Sequence, residues 1–105
     1  MTYEVVLLPL AIRHLDELRA YIADRADQDT ADRYIDAVIH HCEDLNIFPH
    51  RGMQRDDIRP GLRVINYRKR TVIGFAVDET TRRVAILAIT HGGQDFSTVF
   101  ASDAD

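Results

Sequence analysis

Seven of the thirteen basic residues of this chain, Arg51, Arg55, Arg59, Arg63, Arg68, Lys69 and Arg70, fall between positions 51 and 70. Only Asp56 and Asp57 oppose them, so the window carries +5 in a chain of net charge −4. The residues before it hold four Arg against ten acids, and those after it two Arg against five. Positive potential focused in this way attracts phosphates or a carboxylate-rich partner. The acidity of the rest argues against a general nucleic-acid coat protein, which is basic throughout.

Two residues could add proton chemistry to these cations. Tyr67 lies inside the basic window, and His91 has a side chain that titrates near neutral pH. RNA cleavage through a 2′-hydroxyl needs a base, an acid and cations that stabilise the charged phosphorane. Arg63, Tyr67, Arg70 and His91 form the candidate catalytic set for that reaction. The plainer reading of His91, just before Gly92-Gly93, is a loop residue that bonds backbone. Arg63 and Tyr67 are four apart on a strand, with Ile65 between them, so they share one face. Arg51, Arg55 and Arg59 also have an ordinary use as ion-pair partners of Asp56, Asp57 or the acidic helices. Such surface pairs contribute only about 0–1 kcal/mol each.

Other chemistries are not supported. His40 and His41 are adjacent on a helix and face different ways. His14 and His50 are isolated, and Cys42 is the one cysteine. No metal site and no cofactor are expected. Cys42 reads as a small buried apolar residue. There is no convincing Ser-His-Asp set, phosphate-cradling glycine loop or paired carboxylate.

The elements that must carry the cations follow from periodicity. YEVVLL at 3–8 reads as a strand. Pro9 opens a helix to about Ala26, with Ala11, Leu15, Leu18 and Ile22 on one face. A polar break at 27–30, with Asp29 or Thr30 as cap, leads into a second helix from Ala31 to about Ile47. Its stripe is Ala31, Tyr34, Val38, Cys42 and Leu45, and Phe48-Pro49 stops it. Short linkage makes the two helices antiparallel neighbours. Strands are expected at 62–67, 71–77 and 84–90, joined by hairpins at 68–70 and 78–83. In the last of them Val84, Ile86 and Ala88 should share one face, and Ala85, Leu87 and Ile89 the other. Phe96, Val99 and Phe100 suit one helical turn folding back on the domain. The order β-α-α-β-β-β gives an α+β domain, a helical hairpin on a small, mostly antiparallel sheet. The crossover is long enough for the first strand to pair in parallel with a later one.

At 105 residues, 46% of them apolar, the chain is expected to form one domain over 1–100 with an acidic, frayed tail at 101–105. Its apolar runs are too short to span a membrane. MTYEVVLLPL lacks a positive leader and does not read as a secretory signal. The cytoplasm is the default location.

The chain also resembles a family. The pattern YEVVLLPLAIRHLDELRAYIA, ADRYIDAVIHHCEDLNIFPHRG, RDDIRPGLRVINYRKRTVIGFAVD and VAILAITHGGQDF is similar to the ParE branch of the RelE/ParE toxins, over about positions 3–100. The resemblance implies a RelE-like fold and the toxin half of a type II toxin–antitoxin pair. It implies growth inhibition, plasmid stabilisation and a tightly bound antitoxin partner. Relatives resembling ParE are associated with poisoning DNA gyrase by binding, and relatives resembling RelE cut mRNA on the ribosome. The chain departs from the ribonuclease pattern: no Tyr follows Tyr67, and Ala88 stands where many relatives carry Arg three residues before His91. A gyrase-binding toxin is therefore the expected function. An RNA-cutting enzyme and an inactive homologue serving as an interaction module are its rivals. Arg51, Arg55, Arg59, Arg63, Tyr67, Arg68 and Arg70 are the expected target- or partner-binding residues. Val72, Gly74 and Ala76 on the sheet are the expected antitoxin-docking residues, unless they only complete the core.

Overall fold

The computed structural model describes residues 2–103, the side chains of 101–103 excepted. Strand β1 (Glu4–Leu7) leads into helices α1 (Pro9–Arg25) and α2 (Gln28–Glu43). Strands β2 (Met53–Gln54), β3 (Arg63–Tyr67), β4 (Thr71–Asp78) and β5 (Arg83–His91) follow, then helix α3 (Phe96–Asp103). The sheet runs β1-β5-β4-β3-β2. β1 pairs in parallel with β5, and the other pairings are antiparallel. The α1–α2 excursion is the crossover that lets β1 reach the far side of β5.

Both helices bury most of the expected stripes, with Ile22 half-buried and Leu45 buried in the turn after α2. α1 seals Leu10, Ala11, Leu15 and Leu18, and Pro9 occupies its first turn. α2 seals Ala31, Ile35, Val38 and Cys42, while Tyr34 stays half-buried. The cap of α2 differs from the expected Asp29 or Thr30. Asp27 accepts the Thr30 N–H at 2.7 Å, so the helix begins three residues early. Its carboxyl is held below the ordinary carboxylate range by that backbone bond. The helix also ends early, at Glu43, and the chain leaves through a 3₁₀ turn at Asp44–Asn46. Phe48 precedes Pro49, where helical backbone is disfavoured, and here Ile47 and Phe48 are 55% and 70% exposed.

Strand β2 has no sequence signal, being two residues long. Gly52 makes it possible: it sits at φ +83°, and a Cβ there would come within 2.3 Å of the Val64 carbonyl oxygen.

The alternation expected along β5 is broken. Gly74 pairs with Ala88, yet Phe75 pairs with Ile86, so Leu87 is an extra residue in β5. This bulge reverses the phase of the strand. Val84, Ile86 and Ile89 all join the core beneath the helices, with Ile35, Val38, Ile73 and Phe75. Ala88 turns to the opposite face, where it packs with Phe96 of α3. The turn expected around Phe96 is thus a helix that covers that second face. Of the tail expected at 101–105, residues 101–103 complete α3, and 104 and 105 lie outside the described residues.

Candidate functional site

The hairpin at 68–70 sets the register Tyr67↔Thr71, and β4–β5 pairing sets Thr71↔His91. Three strands therefore present Tyr67, Thr71 and His91 side by side, facing the helices. The Leu87 bulge is what turns His91 to this side. Tyr34 of α2 comes down onto the row: its hydroxyl lies 2.6 Å from Thr71 Oγ1, which lies 2.9 Å from His91 Nδ1. Thr71 is fully buried. The ring of His91 thus bonds a side chain in the sheet and not the loop backbone, because its strand continues through position 91. Its main-chain N–H meets Gln94 Oε1 at 3.3 Å. Partial burial, then the nearby Arg70 charge, lower the His91 pKa from its ordinary value, so the neutral ring is favoured.

Around this row runs a ladder of rings. Tyr21 meets His91 with centroids 5.8 Å apart, and His91 meets Tyr34 at 6.3 Å. Tyr34 meets Tyr67 at 5.5 Å, and Tyr67 meets His41 at 5.4 Å. Two cations join the ladder: Arg25 stacks on Tyr21 at one end, 3.7 Å from its centroid, and Arg68 lies 5.5 Å from the Tyr67 ring. Sequence reasoning placed Tyr34 in the α2 stripe and dismissed His41 as a metal ligand, and it assigned none of Tyr21, Tyr34, His41 or Thr71 to this site. The three-residue hairpin turn was the signal for Thr71, since it fixes Thr71 opposite Tyr67; the helical rings needed the packing angle.

The basic residues divide by partner. Arg55 is the one member of the cluster in an ion pair among the described residues, holding Asp57 through two bonds of 3.0 and 2.9 Å. Arg51 donates to the Phe48 and Asp44 carbonyls at 3.1 and 3.2 Å, and Arg63 to the Arg51 carbonyl at 3.4 Å. Arg59 lies over Phe100 at 5.0 Å. Arg68 takes φ +55° in the hairpin turn and donates to the Tyr67 hydroxyl at 3.3 Å. The ion pairing expected of Arg51, Arg55 and Arg59 is therefore made by Arg55 alone, because the others reach carbonyls or a ring first. The face shared by Arg63, Ile65 and Tyr67 turns toward the helices: Ile65 is core, and Arg63 and Tyr67 are half-buried.

Tyr67, Arg70 and His91 gather at one end of the sheet, where the Gly92 N–H bonds the Arg70 carbonyl at 2.9 Å. Arg63 does not join them. It stands four residues back along β3, about 13 Å at roughly 3.3 Å per residue.

On the opposite face, Val72 and Ala76 are half-buried and Gly74 is buried. A Cβ on Gly74 would lie 2.9 Å from the Phe96 ring, so α3 occupies the space above it. Beside α3 an open groove is lined by Met53, Ile58, Val64, Val72, Thr90 and Phe96 among others.

The remaining histidines also find partners. His14 Nδ1 accepts the Ile89 N–H at 3.0 Å, and His50 pairs with Glu79 and packs edge-on against Tyr3. Among the described residues, no three His, Cys, Asp or Glu side chains are grouped to hold a metal ion. No helix there is long and apolar enough to cross a membrane.

A family model described as the ParE toxin of the type II toxin–antitoxin system parDE matches residues 5–96. Among solved structures, the chain is similar to one from the chromosomal ParDE toxin–antitoxin system of P. aeruginosa. That match has TM-score 0.74 and 17% identity, over 87% of this chain and 97% of the other. It is also similar to a chain of the toxin–antitoxin complex RelBE2 from Mycobacterium tuberculosis. Here the TM-score is 0.64 and the identity 21%, over 88% and 100% of the two chains. No curated protein matches the chain by sequence.

Proposed function

Because the chain belongs to the ParE toxin family of type II toxin–antitoxin systems, we propose that it arrests growth in the cytoplasm by binding DNA gyrase, and that a cognate antitoxin silences it. The toxin domain spans 1–100 in this reading. The observation that carries it is the division of the arginines. Arg51, Arg59, Arg63 and Arg68 are held by carbonyls, a hydroxyl or rings, which orient a guanidinium without cancelling its charge. A surface of oriented, uncancelled cations steers and fixes a macromolecular partner of opposite sign. Arg55 differs from them in having a carboxylate, Asp57, beside its guanidinium.

The antitoxin seat is the groove beside α3, where Val72, Met53 and Phe96 offer apolar surface, and Phe96 stacks on Phe100, which lies under Arg59. An amphipathic segment with acidic flanks suits it. Both solved relatives come from toxin–antitoxin systems, which supports such a partner.

Supercoiling by purified gyrase, followed with added toxin, tests the proposal. Inhibition that an equimolar antitoxin reverses is the expected result. No inhibition, together with normal growth on expression alone, overturns it in favour of an inactive interaction module. A second reading, RNA cleavage, draws on the convergence of Tyr67, Arg70 and His91. It loses Arg63 to distance. Message cuts on translating ribosomes that vanish in His91→Ala would establish it.

A further inference from the structure

Behind the ring ladder, α1 and the ends of β4 and β5 enclose a separate cleft of about 370 Å³. His14, Glu17, Leu18 and Tyr21 line it from α1, and Arg70, Ile89, His91, Gly92 and Gln94 from the sheet end. That volume lies in the range of small-molecule sites. We propose that this cleft binds a nucleoside monophosphate, with the phosphate on Arg70 and the base between Tyr21 and Glu17.

The argument begins with charge. Arg70 and Glu17 both face the cleft, and among the described residues neither makes an ion pair, with each other or with any other group. A cation and a carboxylate that share a cleft without meeting leave a positive end and an acceptor end. A bare anion would suffer from Glu17, and a bare cation from Arg70. A ligand with an anionic group at one end and N–H donors at the other satisfies both.

The same cleft also carries an aromatic wall residue, Tyr21. Tyr21 is 42% exposed; the Arg25 guanidinium lies over its ring at 3.7 Å, and the His91 ring meets it in a T-shaped contact at 5.8 Å. The exposed part of the ring offers a contact for a planar base, as aromatic side chains do in single-stranded nucleic-acid binders. His91 is fixed from behind through Nδ1 to Thr71, which leaves Nε2 as the nitrogen not used in the sheet. Its lowered pKa keeps the ring neutral, so Nε2 then carries the proton when Thr71 donates to Nδ1. That N–H can donate to a phosphate or ribose oxygen.

The carboxylate of Glu17 predicts which bases are preferred. It accepts from an exocyclic amino group, present in guanine, adenine and cytosine and missing from uracil. The cleft and the proposed antitoxin groove share Gln94 in their linings, but the nucleotide titration is made on the toxin alone and does not depend on the gyrase or antitoxin reading.

The test is a titration of the full chain, followed by NMR of the Tyr21 and His91 ring signals, with GMP, UMP, uridine and inorganic phosphate as separate probes. GMP is expected to shift both rings and to bind at about 1 mM or tighter, with UMP at least about threefold weaker. Uridine and inorganic phosphate should each be at least about tenfold weaker than GMP. Arg70→Met should cost about tenfold, Glu17→Gln should level GMP and UMP, and Lys69→Met on the same turn should change nothing. Equal binding of inorganic phosphate and GMP would overturn the base site. No ring shift with any nucleotide on the wild-type chain would overturn the whole proposal.

Discussion

The Tyr34 hydroxyl stands 2.6 Å from Thr71 Oγ1, tying the middle of α2 to the first residue of β4. Thr71 is fully buried, and the same oxygen serves His91 at 2.9 Å. One hydroxyl therefore joins a helix to two strands at the end of the sheet where Tyr67 and Arg70 also lie. Thr71→Val keeps the shape and removes both bonds. It should cost about 1–3 kcal/mol, since it strands Tyr34 and His91 in a semi-buried place. Tyr34→Phe should cost less, about 1 kcal/mol, because Thr71 keeps His91. Urea denaturation of the two variants gives the order.

His91 makes the fold sensitive to mild acid. Its folded pKa is below the unfolded value of 6.5, so the folded state binds fewer protons than the unfolded one. Stability is full above pH 6.5 and falls as the pH drops through the folded pKa. The groups facing it are Arg70, Tyr21, Tyr34 and Thr71, with His14 and Glu17 across the cleft. His91→Gln should flatten the pH dependence of the melting temperature in that interval. An unchanged slope would assign it to another group.

Gly74 is open to a packing test. A methyl group there would meet the Phe96 ring at 2.9 Å. Gly74→Ala should push α3 outward, at a cost of about 1–3 kcal/mol. Amide exchange should quicken at Val99, which donates to the Asp95 carbonyl, while the helices on the other face keep their protection.

Burial pushes the Cys42 thiol up to about 12. At neutral pH it holds almost no thiolate, so a disulfide reagent should label native protein very slowly and urea-unfolded protein at an ordinary thiol rate. Rapid native labelling would mean that α2 opens often.

The arginines should separate in function as they do in structure. Arg68→Ala should weaken gyrase inhibition and reduce its salt sensitivity, while Arg55→Ala should leave both close to wild type. Arg55 is already committed to Asp57, which raises its own pKa and lowers that of Asp57.

Local patterns were enough for the helices and for most strands. Ala11, Leu15 and Leu18 on α1, and Ala31, Val38 and Cys42 on α2, recur at helical spacing, and they are the residues the fold buries. Charge counting found the basic window, and the order β-α-α-β-β-β predicted the α+β sheet-and-hairpin architecture, which the family resemblance also implied. The short strand at Met53–Gln54 was not legible, because two exposed residues carry no period and owe their conformation to Gly52 against Val64. The cap at Asp27 was displaced because several polar residues in a row can each cap, and only the path of the chain between α1 and α2 selects one.

The site divides along the same line. Composition and spacing by themselves placed cations and a histidine in the chain and favoured a macromolecular partner over cofactor chemistry. Tertiary structure decided which of them meet. A period-two strand would have left His91 on the opposite face from Val84 and Ile86. The extra residue at Leu87 reverses that phase and brings its ring to Thr71 and Tyr34. The reason is that alternation is local, whereas a bulge forms only when a neighbouring strand, here β4 at Gly74 and Phe75, supplies the register that makes one residue surplus.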